Sequence, residues 1–348
     1  MAFHFNFCII LSEIWSIFES SFMLSSFKKN IYRLSEFLHF SSHTHVRSFH
    51  FDYQVTLKNL TARPLSFSLV LPVVQDFDSQ KVLSKVKFSA NPEVFADALY
   101  KNKYAIWQIQ LESHQTQQFS ESFDIQVSPG GSKFGSSTFE NYSKLDKKTR
   151  EQFITSNRFL AGDHPGFQKF AEELSAGFSD PVEITKAFNN FTMIYLDYQN
   201  PIEGLYLALE ALQKKAVDCG GFATFFVSLC HASKIPARVV SGFFVESETS
   251  KNDGKNLMHA WAEFMLPDGR WIPVDPSTEQ LFDRNRTRRS GRFGFVGSDR
   301  VIFSKGCDIP LVIDGENIFV DILQNPLVFP KKRPEGLEIS LSCHSNRL

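Results

Sequence analysis

The chain has 348 residues, room for about two domains at roughly 150 residues each, and its 37 basic and 38 acidic side chains give a formal net charge of −1. That balance supplies no global field for nucleic acid or an anionic membrane surface, and 43% hydrophobic with 22% charged residues describes a globular chain, not a disordered one. The compositional oddity is 37 phenylalanines.

Five cysteines, Cys8, Cys219, Cys230, Cys307 and Cys343, include no C-x-x-C pair, so neither a zinc set nor a dithiol redox motif is expected. Their odd number points to a reducing compartment, and cytoplasmic localisation is the expectation. No apolar run approaches the roughly 18 residues of a spanning helix, because Phe7 to Leu11 is broken by Ser12 and Glu13. No integral membrane span is expected. The first basic residue, Lys28, also comes too late for a secretory signal.

Taken in chain order, residues 1–46 mix Phe, Ser and His without a period and form a leader to which no function is assigned. Its histidines His39, His43 and His45, together with His50, sit in a Ser/Thr-rich stretch and read as solvated groups, not metal ligands. Residues 47–128 switch to short alternating runs: Phe49–Leu57, Leu65–Leu71, Val82–Phe88, Tyr104–Leu111 and Phe119–Val127. Pro and Asn punctuate them at the spacing of an immunoglobulin-like antiparallel β-sandwich. Residues 129–164, rich at first in Gly, Ser and Lys, read as a linker, and Gly130, Gly131 and Gly135 lack the spacing of a phosphate loop. Helices are expected over Phe167–Ala176, Pro181–Leu196 and Pro201–Lys215, the second opened by Asp180 as cap and Pro181 at the first helical position. A second domain is placed at 165–310, and 311–348 is a C-terminal extension.

Chemistry concentrates after Val217. Phe222, Phe225, Phe226 and Leu229 recur at i, i+3, i+4 and i+7, the stripe of a buried helix running to about Ser233, which places Cys219 in its first turn. The helix dipole there favours thiolate, while the charge of Asp218 opposes it unless that carboxylate is spent on capping. A hairpin follows, Met258–Met265 and Arg270–Asp275, closed by Leu266-Pro267-Asp268-Gly269, whose residues suit a type I turn ending in a left-handed glycine. With Leu266 facing Arg270, Asp275 opposes Trp261 and is the diagonal neighbour of His259 on one face. Such neighbours lie about 7–8 Å apart at Cα, within reach of an imidazole–carboxylate hydrogen bond. A thiol, a histidine and a carboxylate that fixes its tautomer are the parts of nucleophilic attack on an acyl carbon.

The segments Cys219-Gly220-Gly221-Phe222-Ala223, Lys234-Ile235-Pro236-Ala237-Arg238-Val239-Val240-Ser241-Gly242-Phe243, His259-Ala260-Trp261-Ala262-Glu263 and Gly269-Arg270-Trp271-Ile272-Pro273-Val274-Asp275-Pro276 resemble, in motif and order, the transglutaminase-like core. They also resemble bacterial members of that superfamily assigned as cysteine proteases. The resemblance implies an α+β, papain-like core with a nucleophile helix on an antiparallel sheet, preceded by the sandwich. It implies Cys219 as nucleophile, His259 as general base then acid, Asp275 as orienting carboxylate, and the Cys219 backbone N–H as one oxyanion donor. A second donor is not assigned, Gln213 reading as a solvated helix residue. Val217, Lys234 and His231 depart from the pattern at positions outside the three. Arg238 and Trp261 read as structural, and the five arginines between Arg284 and Arg292 as a solvated loop.

The expected function is therefore a cysteine enzyme acting through a thioester on a peptide or protein substrate, with hydrolysis of peptide or isopeptide bonds ahead of amine transfer. A non-catalytic binding module on the same scaffold is the reading from another class. The chemistry requires no metal or other cofactor, and no EF-hand loop is present to hold calcium. Nothing in the residues indicates an oligomeric state.

Overall fold

A computed structural model describes residues 44–131, 139–245, 257–330 and 333–348. All but the last three residues of the expected leader lie outside these ranges, among them His39 and His43, as does Gly135.

Strands β1 (Arg47–Asn59), β2 (Leu65–Val73), β3 (Gln80–Val82), β4 (Lys87–Phe88), β5 (Glu93–Ala96), β6 (Lys103–Leu111) and β7 (Thr116–Val127) come first. Then follow β8 (Gly130–Gly131), helices α1 (Lys147–Gln152), α2 (Pro165–Ser175) and α3 (Pro181–Tyr195), and β9 (Asp197–Tyr198). The middle of the chain holds α4 (Ala208–Lys214), β10 (Ala216–Val217), α5 (Cys219–Ala232), β11 (Ala237–Phe244), β12 (Met258–Met265), β13 (Trp271–Val274) and α6 (Pro276–Asp283). It closes with β14 (Phe295–Val296), β15 (Arg300–Lys305), β16 (Ile309–Ile313), β17 (Glu316–Val320), β18 (Leu327–Phe329) and β19 (Leu337–Arg347).

The sandwich follows from period-two patterning. In β1 the residues Phe49, Phe51, Tyr53, Val55 and Leu57 are all buried while their neighbours are partly or fully exposed, as one face of a pleated strand requires. One sheet runs β19-β1-β7-β3, with β4 also on β7, and the other runs β18-β2-β6-β5. The expected Val82–Phe88 strand is split into β3 and β4, and β5 was not anticipated, because its four residues are all exposed and show no alternation.

The chain end behaves differently from the expected extension at 311–348. β19 pairs antiparallel with β1 from Phe49↔Arg347 to Asn59↔Leu337, and β18 pairs with β2, so each sandwich sheet takes one edge strand from the C-terminus. The expected linker at 129–164 likewise contains structure. Gly130 and Gly131 pair with β14, the Tyr142 hydroxyl donates to the Met265 carbonyl at 2.6 Å, and the Phe153 ring packs edge-on against Trp271 at 4.9 Å. No linker separates two cores either: Phe243 of β11, Val301 and Phe303 of β15, and Val245 just past β11 pack into the same apolar cluster as Phe51, Phe123 and Leu69.

A third sheet, β13-β12-β11-β15, is antiparallel, and helix α5, which begins at Cys219, packs on it among α2, α3 and α4. Its hairpin has the anticipated register. Leu266 N–H donates to Arg270 O at 2.8 Å, Ala262 faces Val274, and Gly269 has φ +89°, a conformation that would strain a residue carrying Cβ. No helix among the described residues is long and apolar enough to cross a membrane.

Candidate active site

Helix α5 begins where it does because Asp218 caps it. The Asp218 Oδ1 accepts from the Gly220 and Gly221 amides at 3.0 and 3.3 Å, and Oδ2 accepts from the Ile202 amide at 3.0 Å. The apolar stripe Phe222, Phe225, Phe226 and Leu229 is fully buried, which anchors the helix and holds its first turn in place. Cys219 is half-buried and opens onto a cavity of about 450 Å³ that His259, Tyr198 and Gly220 also line.

The sulfur's surroundings differ from the sequence expectation of a thiolate. Burial pushes the Cys219 thiol up to about 12, and the Asp218 charge adds to the rise even though that carboxylate is spent on the cap. The backbone amides of Ala260 and Gly220 pull the other way without prevailing. The helix dipole is outweighed by desolvation, so the resting group is a thiol.

His259 stands on β12 with its ring stacked on Phe244 at 4.4 Å, and it is itself buried. Its Nε2 lies 2.8 Å from Asp275 Oδ2, which sets the proton on Nε2 and leaves Nδ1 as the basic nitrogen. Burial lowers the His259 pKa, Asp275 opposes that, and Arg300 and Arg289 reinforce it, the net being a histidine below its ordinary value. It is neutral at neutral pH.

Asp275 serves two tasks with two oxygens. As N-cap of α6, its Oδ1 accepts from the Thr278 amide at 3.0 Å and the Ser277 hydroxyl at 2.9 Å. Its Oδ2 takes His259 and, at 2.6 Å, the Arg300 guanidinium. Burial alone would raise its pKa, but His259 and Arg300 overcome that and hold the carboxyl far below the ordinary range. The fit tolerates no side chain at Gly291, where a Cβ would lie 2.6 Å from Asp275 Oδ2.

Residues 168–276 match the model of the transglutaminase-like superfamily. That stretch is a transglutaminase-like core. A solved structure from Cytophaga hutchinsonii, described as a "Putative Cysteine Protease", superposes with a TM-score of 0.56 at 16% identity, covering 87% of this chain and 92% of that one, a likeness of fold. The periplasmic domain of TgpA from Pseudomonas aeruginosa matches at 15% identity over 72% of this chain and 95% of that one, with a TM-score of 0.34. No curated protein matches the chain by sequence.

Three groups at the site escaped the sequence reading. Arg300, 2% exposed, lies on β15, 25 residues beyond Asp275, and pairs also with Asp299 at 3.1 Å and the Ser290 carbonyl. No motif marks it. Tyr198 on β9 brings its phenol against the Cys219 sulfur, which in its ionised form is the largest cause of the phenol's raised pKa, followed by burial. Gln324, in the loop before β18, donates from Nε2 to the Gly242 and His259 carbonyls at 2.5 and 3.1 Å. Gln213 is exposed, as its place on α4 implies, and is no part of the site. Arg238 and Glu263 form a buried ion pair at 2.7 Å, joined by Lys305, and Trp261 fills core, so both motif residues support the sheet. The arginine-rich stretch is more structured than a solvated loop, since Arg289 is 9% exposed and covers the Phe244 ring at 4.0 Å. Among the described residues no cluster of His, Cys, Asp and Glu could hold a metal ion.

Proposed function

We propose that the chain is a cysteine hydrolase that cleaves peptide or isopeptide amides through a thioester on Cys219. The observation that carries the reading is that Cys219 and His259 line one cavity while His259 Nε2 is bonded to a buried Asp275. Because the thiol is raised and the imidazole neutral, the resting pair is uncharged, and the thiol proton passes to His259 Nδ1 as sulfur attacks the acyl carbon. Asp275, paired with Arg300, stays ionised throughout and stabilises the imidazolium that forms. The tetrahedral oxyanion takes the Cys219 backbone N–H and the Tyr198 hydroxyl, the second donor that the sequence left open. His259 then protonates the leaving amine, and water, deprotonated by the same imidazole, releases the acid and restores the thiol.

Amine transfer shares every step to the thioester and differs in the acceptor. Incubating the protein with a glutamine peptide and a labelled primary amine separates the outcomes: ammonia leaves in both, conversion of the glutamine to free glutamate supports hydrolysis, and covalent incorporation of the amine replaces it with transfer. Cys219→Ala must abolish thiol-directed acylation while Cys230→Ala keeps it. Equal labelling of both variants overturns the nucleophile assignment and leaves a binding module on this scaffold.

A further inference from the structure

Part of the wall lining the cavity that holds Cys219 and His259 comes from the end of the chain. Ile322, Ile339 and Leu341 line it, the last two projecting from β19 toward the sandwich interior with their side chains only partly buried. An apolar surface left partly open beside a nucleophile is a place where a ligand's apolar group escapes water.

This wall is held in register with the reacting groups. β19 is zipped to β1, with Ile339 opposite Leu57 and Leu341 opposite Val55. The loop that carries Ile322 is clamped on two sides. Gln324, 5% exposed, donates to the His259 carbonyl, and its own carbonyl accepts the Tyr53 hydroxyl at 2.9 Å. The Leu323 amide also donates to the Ser304 hydroxyl at 3.1 Å. The wall is therefore tied through Gln324 to the strand that carries His259.

We infer that Ile339 and Leu341, with Ile322, are specificity-determining residues that seat a bulky apolar side chain of the acyl donor, in the residue preceding the one whose carbonyl is attacked by Cys219. The substrate class is thus a peptide or protein segment with a Leu-like residue one position before the residue that supplies the scissile carbonyl. This rests on Cys219 being the nucleophile, and it makes the C-terminal strand of the sandwich part of the substrate site.

The test uses two peptidyl chloromethyl ketones on the full chain, one with leucine and one with serine in the residue preceding the reactive glycyl ketone. In each, the Cys219 sulfur forms the C–S bond as chloride leaves and the thiol proton passes to His259. Alkylation is followed by intact mass, with iodoacetamide as a probe indifferent to the wall. The wild type is expected to take the leucyl probe about tenfold or more faster than the seryl one, the scale on which apolar pockets discriminate. Ile339→Ala should narrow that ratio to about threefold or less, and Ile339→Phe, which fills the space, should do the same while leaving iodoacetamide labelling of Cys219 unchanged. Equal rates in a wild type whose Cys219 still alkylates overturn the wall and spare the nucleophile. An Ile339→Ala ratio equal to wild type overturns it as well. A Cys219 inert to all three reagents removes the nucleophile assignment and the wall with it.

Discussion

Asp275 and Arg300 form an ion pair of 2.6 Å with both side chains nearly inaccessible to water, at 0% and 2% exposure. The pair sits directly behind the His259–Asp275 hydrogen bond. Two charges so buried repay their desolvation only when each is fully partnered, and here Arg300 also reaches Asp299 and Ser290 while Asp275 caps α6.

Replacing Arg300 by Gln strands that carboxylate, and a stability loss of about 3 kcal/mol is expected from urea unfolding. The variant should also move the acidic limb of the pH–rate profile upward, because Arg300 is one of the charges lowering the His259 pKa. Arg300→Lys should recover part of both. A profile unmoved in Arg300→Gln would make the pair purely structural.

Tyr198→Phe removes one hydroxyl from the cavity while keeping the ring, which packs 6.3 Å from Phe222. With the hydroxyl acting on the oxyanion, turnover should fall about 100-fold with KM little changed. A loss confined to KM would place the hydroxyl on ground-state substrate instead.

The pH dependence follows from a raised thiol and a lowered imidazole. Between the lowered pKa of His259 and the ordinary value of about 6.5, the folded protein binds fewer protons than the unfolded chain, so stability declines as pH falls through that window. Activity should persist through that window and vanish only as pH falls through the lowered pKa of His259, where the base is protonated. Cys219 alkylation by a neutral reagent, followed by mass spectrometry from pH 4 to 9, should show a rise governed by the histidine with no plateau of free thiolate near neutrality. A rate tracking an independent thiol pKa well below 8 would contradict the neutral pair.

Glu279 offers a test in the opposite direction. Burial raises its pKa to about 7, against hydrogen bonds from Asn189 and the Phe293 amide, so the folded state keeps a proton that the unfolded chain releases above about 4.5. Its ionisation thus costs stability as pH rises from about 4.5 to 7, and the cost is complete above that. Glu279→Gln should stabilise the protein by about 1–2 kcal/mol at pH 8 and by almost nothing at pH 4, measured by urea denaturation.

Local chemistry carried much of the site. The Asp218 cap and the Phe222–Leu229 stripe lie within a dozen residues of Cys219, and Leu266-Pro267-Asp268-Gly269 sets a register that places His259 beside Asp275. Each follows from helical or strand periodicity and one turn's backbone needs, all encoded by near neighbours.

What lay beyond sequence is everything whose cause is burial by distant chain. Arg300 reaches Asp275 because β15 pairs with β11, Gln324 reaches His259 because the chain returns to the sandwich, and β18 and β19 complete sheets begun nearly three hundred residues earlier. The amino-acid order by itself determined the helix-start sulfur and the imidazole–carboxylate hairpin. Only the folded whole decided that the sulfur rests protonated, because desolvation is a property of the packed surroundings and not of any neighbouring residue.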